Sequence, residues 1–159
     1  MATVEQDVRV ETGGSNDLDA VMTVMDLAFG QRFGEAWTRS QLAGILPMAG
    51  VTLTLARDPR SEDAVGFSLV RTVADESELL LIAVLPSHHR RGVGGRLLND
   101  FLDRARNDGI HRVHLEVRDG NPAVDMYKNA GFSPVGRRRN YYRARDGQRF
   151  DAITLSHEI

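Results

Sequence analysis

The sequence predicts an α/β (α+β) domain, and three observations carry that expectation. Strand-sized apolar segments and amphipathic helical segments both recur along the chain. Strands cluster between residues 51 and 84, and a strand–helix alternation follows. A length of 159 residues suits one domain with a sizeable core, taken here as 1–159.

Taken in order, residues 8–12 alternate as a short strand behind a mobile leader. Residues 13–17, Gly-Gly-Ser-Asn-Asp, make a turn rich in capping side chains. Leu18, Val21, Met22, Met25 and Phe29 then recur at helical spacing, so 18–29 reads as an amphipathic helix ending at Gly30. A connection over 31–36 leads to a second short helix over 37–46, stopped by Pro47. Residues 51–56 and 65–73 read as a hairpin around an Asp-Pro-Arg-Ser turn, and 79–84 as a central strand, apolar throughout. After a turn at 86–91, residues 94–107 place Leu97, Leu98, Phe101, Leu102 and Ala105 on one helical stripe. Residues 113–117 form another apolar strand. Asn121 is a good helix cap and Pro122 a good first helical residue, so a helix runs to about Ala130 and stops at Gly131. Residues 132–137 and 150–156 close the fold as strands around an Arg-rich loop.

Composition narrows the class. With 42% hydrophobic and 26% charged residues, the chain is ordinary globular protein. Its longest apolar run, 79–85, falls far short of the roughly 18–20 residues of a membrane span. Residues 1–11 are polar and partly acidic, unlike a signal peptide. The absence of cysteine excludes disulfides, thiolate metal sites and a Cys nucleophile. A bacterial-style cytoplasmic enzyme or binding domain remains. The net charge of −2 hides an asymmetry: residues 1–80 carry six Arg against thirteen acids, and 81–159 carry thirteen Arg and Lys128 against nine. That polarity suits a second half that meets an anion.

Two constellations carry chemistry. In the first, an apolar strand is followed by Arg90, Arg91, Gly92, Val93, Gly94, Gly95, Arg96 and then a helix. Glycines let backbone amides converge on an anion, the helix start adds unpaired amides, and the arginines add charge. A pyrophosphate cradle reads better than a plain tight turn. A Walker loop needs Gly-Lys-Ser/Thr where Gly95-Arg96-Leu97 stands. A dinucleotide fingerprint needs a small residue at Leu97, although Glu116 lies where its acid is expected.

The second constellation is Leu115-Glu116-Val117 with Tyr127 in the next helix. Glu116 either faces solvent beside His114 or stands in the crevice where open α/β sheets bind ligands, as a candidate base. Tyr127 is either core packing or a catalytic hydroxyl. His111 and His114 fall on opposite strand faces, so no metal site is expected. Between 137 and 149 six arginines interleave with Tyr141 and Tyr142, which suits either RNA contact or a solvated hairpin.

Together, Arg-Arg-Gly-x-Gly after an apolar strand, Leu-Glu-Val-Arg, Asn-Pro-Ala and Tyr-Lys-Asn-Ala-Gly-Phe resemble the GCN5-related N-acetyltransferases (GNAT superfamily). Arg138-Arg139-Asn140-Tyr141-Tyr142 and Asp151-Ala152-Ile153, with Trp37-Thr38, are similar to the RimI-type members, which acetylate the N-terminal alanine of a ribosomal protein. The resemblance implies a mixed, mostly antiparallel sheet with helices on both faces and a splay between the strands at 79–84 and 113–117. It implies acetyl-CoA as donor, its pyrophosphate on the glycine loop and its pantetheine along Ile82, Ala83 and Val84. Glu116 becomes the base and Tyr127 the acid. Trp37, Asn140, Tyr141 and Tyr142 become acceptor contacts, and the acceptor a protein or peptide N-terminus, with ribosomal proteins as the leading class. A small-molecule amine is the competing acceptor. Neither membrane nor direct nucleic-acid binding is expected, and the oligomeric state stays open. Two departures stand out: His89 replaces the family's Gln or Arg before the loop, and Asn121 lies one residue closer to Tyr127 than the family's cofactor-contacting Asn. A nucleotide-binding or RNA-associated regulatory module without acyl transfer is the reading of another class.

Overall fold

The computed structural model describes residues 8–30 and 32–159, so the expected leader over the first seven residues lies outside the described residues. Strand β1 (Arg9–Gly13) leads through a 3-10 turn into α1 (Leu18–Phe29), and a connection then leads to α2 (Arg39–Ile45). Strands β2 (Val51–Arg57), β3 (Ala64–Val73) and β4 (Glu76–Val84) form a meander. Then come α3 (Val93–Asn107), β5 (Arg112–Arg118), α4 (Ala123–Asn129), β6 (Ser133–Arg143) and β7 (Arg149–Glu158). The seven strands lie in the order β1-β2-β3-β4-β5-β7-β6, and every neighbouring pair is antiparallel except β4–β5.

That parallel pair is short. Glu76–Leu79 runs beside Arg112–Leu115, and pairing stops there. Residues 80–84 and 116–118 therefore face one another across a split in the sheet, which is the expected splay. A bulge on β4 sits at the same point: Leu69 pairs with Leu81 and Val70 with Leu79, leaving Leu80 without a partner. Strict alternation would put Leu79 and Leu81 on one face. The bulge sends them to opposite cores. Leu81 and Ala83 pack with Val21, Val24, Met25 and Leu42 under α1 and α2. Leu79 packs with Leu98, Phe101, Leu115 and Tyr127 under α3 and α4. Helices therefore cover both faces.

Local chemistry explains the element ends. Thr38 caps α2 with a capping box, its Oγ1 accepting from Gln41 N (3.1 Å) while Gln41 Oε1 accepts from Thr38 N (2.8 Å). Trp37 therefore lies just before the helix rather than inside it. Helix α3 starts on two glycines and is held by packing: Leu97, Leu98, Phe101 and Leu102 are all buried, each contributing about 1.5–3 kcal/mol relative to exposure. Asn121 Oδ1 accepts from Ala123 N at 2.9 Å and caps α4.

The expected Arg-rich loop is largely strand. β6 continues to Arg143 as an edge strand, with irregular register between Arg138 and Tyr142, and Asn140 has a φ of +54° within that bulge. Nearly every β6 residue is exposed, so no apolar alternation marks it as a strand. Only 144–148 remain as the turn.

Candidate active site

The split in the sheet opens into two connected cavities. The larger, about 650 Å³, runs from Ile82, Ala83 and Val84 over His89, Arg90 and Gly92–Gly95 to Met126 and Tyr127. The smaller, about 110 Å³, lies on the α1/α2 side, bounded by Trp37, Glu78, Leu80, Glu116, Tyr141 and Tyr142. Phe29, Glu35, Ile82, Arg118, Asn121 and Tyr127 border both. An extended, phosphate-bearing ligand has room only in the larger cavity.

The glycine loop is built as a bare backbone surface. Gly92 caps α3 in the left-handed region (φ +77°), and Arg90 is left-handed too (φ +62°). The amides of Val93, Gly94 and Gly95 follow at the helix start, where no intrahelical acceptor exists for them. A Cβ on Gly95 would meet no protein atom within 4 Å, and one on Gly94 only Met126 Sδ and Val84 Cγ2 at ordinary contact distances. Packing does not demand these glycines, and their lack of side chains leaves the backbone open to close approach. Residues of this kind fit the diphosphate of acetyl-CoA. Arg90 borders the groove, whereas Arg91 and Arg96 are exposed and lie outside its lining. His89 Nε2 donates to the Val84 carbonyl at 3.0 Å, tying the loop to the strand end that borders the groove. A carbonyl accepts twice, so Val84 keeps one lone pair for a ligand amide.

Glu116 is not a solvent-facing residue. Its side chain is 14% exposed, it borders the smaller cavity, and Arg138 Nε sits 2.6 Å from its Oε1. Tyr142 Oη reaches the Glu116 carbonyl at 3.5 Å. Tyr127 is both core and site: its ring packs edge-on against Phe132, and the residue borders both cavities. Burial pushes its phenol well above the ordinary tyrosine range, with the neighbouring Tyr142 phenol, once ionised, and the Glu35 carboxylate adding to the effect. Burial raises Tyr142 in the same way, with Glu35 next in weight. Both hydroxyls therefore keep their protons at neutral pH.

Trp37, Tyr141 and Tyr142 all border the smaller cavity. Asn140 does not. It is exposed, and its backbone N–H donates to Asp151 Oδ1 at 2.9 Å within the β6 bulge that precedes the two tyrosines. Asn121 borders both cavities while capping α4 and donating to Glu35. Sequence reasoning missed Glu35, Arg118 and Phe33. Arg118, a charge ending an apolar strand, was the one visible signal.

A sheet that splits between two parallel strands beside a glycine-rich helix start is the architecture of N-acetyltransferases. The chain belongs to the acetyltransferase (GNAT) family, whose pattern it matches over residues 19–132. It is 36% identical over 92 residues to the ribosomal protein bS18-alanine N-acetyltransferase of Haemophilus influenzae, covering 58% of this chain but 63% of that protein, less than two thirds of its length. The enzyme of the same description from Salmonella typhimurium is 34% identical over 121 residues, 76% of this chain and 79% of that one. The crystal structure of the ribosomal-protein-S18-alanine N-acetyltransferase from Escherichia coli superposes with a TM-score of 0.85 at 28% identity, over 96% of this chain and 94% of that one. Among the described residues, no helix is long and apolar enough to cross a membrane.

Proposed function

We propose that the protein transfers the acetyl group of acetyl-CoA directly to the α-amine of a protein or peptide N-terminus, alanine by preference, with a ribosomal protein as the natural acceptor class. The observation that carries this reading is the meeting of the two cavities at Tyr127, with Glu116 on the acceptor side. Acetyl-CoA supplies an activated thioester carbon. The glycine loop and the α3 start hold its diphosphate, and the free edge of β4 at Ile82–Val84 pairs with its pantetheine amides.

An ammonium cannot attack, so a base must first take its proton. Glu116 takes it, directly or through one water, and Arg138 holds the carboxylate in place. An α-amine titrates near ~7.7–8.0 against ~10.4 for lysine, so a modest base suffices at cellular pH. A β4 backbone N–H near Val84 offers a hydrogen bond to the oxyanion that develops as the amine adds. Tyr127, kept protonated by burial, gives its proton to the departing thiolate. The small acceptor cavity and its aromatic walls, Trp37, Tyr141 and Tyr142, favour a short first side chain.

Thiol release from acetyl-CoA tests the reading. Ala-starting peptides should outpace the same peptides with a blocked terminus and an internal lysine. Equal rates, or preference for a free polyamine, would move the acceptor to another amine. Acetyl-CoA binding without any amine-dependent thiol release would leave only a binding module.

A further inference from the structure

The connection between α1 and α2 is fastened to the catalytic side of the sheet through one carboxylate. Glu35 Oε1 accepts from Arg118 Nε at 3.2 Å, and Oε2 accepts from Asn121 Nδ2 at 2.9 Å. The ion pair's side chains are 9% and 11% exposed, the most buried ion pair among the described residues. Phe33 lies with its ring centre 3.5 Å from the Arg118 guanidinium carbon and meets Phe150 edge-on at 5.1 Å. Arg118 is two residues beyond Glu116 on the same face of β5. Asn121 caps the helix that carries Tyr127. One side chain thus reaches the strand of the proposed base, the helix of the proposed acid and the wall of the acceptor cavity.

We propose that Glu35 is a positioning residue for acyl transfer. It holds the acceptor wall against β5 and α4, so that an incoming amine meets Glu116 and Tyr127 at one fixed spacing. This inference rests on the acetyltransferase reading. A buried ion pair adds little net stability, because both ions give up hydration. What it does provide is fixed geometry, and its place where the two cavities join makes that geometry consequential. Misplacement of reacting groups by about 1 Å can cost roughly 10²-fold in rate. The influence of Glu35 on the phenols of Tyr127 and Tyr142 agrees with its closeness to both.

Glu35→Asp is the decisive variant, because it keeps the counter-charge for Arg118 but is one methylene too short to hold Arg118 and Asn121 together. With an Ala-starting peptide, its kcat should fall about tenfold or more and the peptide KM should rise. Acetyl-CoA affinity by calorimetry should stay within about twofold and the melting temperature near that of the wild type, since the charge balance is kept. A counter-charge with no positioning role would leave both kcat and peptide KM at wild-type values, and that result overturns the proposal. Glu35→Gln keeps the reach but sets a donor amide against Asn121 Nδ2 or Arg118 Nε and removes the counter-charge, so where it folds its kcat should fall too. A wild-type protein without amine-dependent thiol release would sink the acetyltransferase reading itself and this inference with it. An active wild type matched by Glu35→Asp sinks this inference alone.

Discussion

In the proposed mechanism Glu116 and Tyr127 divide the proton traffic, and their surroundings differ accordingly. Glu116 sits at the edge of a small polar cavity against a guanidinium, and Tyr127 sits in the core beneath it. Glu116→Gln keeps shape and removes the base, so kcat for an N-terminal amine should fall about 10²–10⁴-fold at neutral pH. Steady-state thiol release measures this, and full activity would move the base elsewhere. Tyr127→Phe keeps the ring against Phe132 and should lower kcat with acetyl-CoA affinity unchanged within about twofold, because only the proton donor is lost. The raised phenol pKa fixes a sign. An acid loses function as pH rises through its pKa, so a raised value moves that loss upward, beyond the ordinary ~10 of tyrosine. An alkaline fall in kcat centred below pH ~9 would therefore belong to another group, and its persistence unchanged in Tyr127→Phe would confirm that. Gly94 tests the loop in the same direct way. A Cβ fits there against Met126 and Val84, which line the groove with Gly94, so the two further methyls of Gly94→Val add bulk at its wall. Acetyl-CoA should bind at least about tenfold more weakly by calorimetry, whereas Arg91→Ala, off the groove, should cost less.

Elements with a repeating pattern were legible in the chain, and those without one were not. Helix α1 ends where the 18–29 periodicity ends, and α3 buries the stripe read from Leu97 to Ala105. The glycine loop and the Glu116–Tyr127 pair were legible because their chemistry is local in sequence. β6 runs on beyond residue 137, where the sequence predicts a loop, because an edge strand with no covering layer needs no alternation. Glu35 was invisible for a related reason: it lies in an unpatterned connection, and its partners stand 83 and 86 residues away. That connection is nonetheless packed tightly. Gly34 has a φ of +71°, and a Cβ there would lie 2.0 Å from the Arg143 carbonyl oxygen, a backbone atom that cannot swing aside. Gly34→Ala should destabilise by about 2 kcal/mol or more, lowering the melting temperature by roughly 4–8 °C. It should also raise the peptide KM, because the wall carrying Glu35 and Trp37 would shift. A calorimetric scan showing no change would mean that the connection yields freely and does not define the acceptor cavity.

Across the whole molecule, the charge asymmetry of the chain maps onto the split sheet. The acidic first half ends within β4, and the basic second half begins there and supplies β5. Acids from one half meet bases from the other along that seam: Glu76 with Arg112, Glu78 with His114, and Glu35 with Arg118. The asymmetry therefore has two uses, internal pairing at the seam and an unpaired basic rim around the glycine loop, where Arg90, Arg91 and Arg96 make no ion pair among the described residues. Salt separates the two uses. Exposed pairs such as Glu76–Arg112 are worth about 0–1 kcal/mol, and the buried Glu35–Arg118 pair is poorly screened. Raising NaCl from about 50 mM to 500 mM shortens the Debye length to a few ångströms. The melting temperature should then move by no more than about 2 °C. On the proposed reading the polyanionic acetyl-CoA sits in the field of these arginines, Arg90 at the groove and Arg91 and Arg96 outside its lining, so its dissociation constant should rise several-fold over the same range, about tenfold if all three contribute. Triple substitution of Arg90, Arg91 and Arg96 by Gln should flatten that salt dependence while sparing the melting temperature. A steep salt dependence that survived in the triple variant would relocate the phosphate contacts to another part of the basic half, with the Arg-rich β6–β7 hairpin the next place to look.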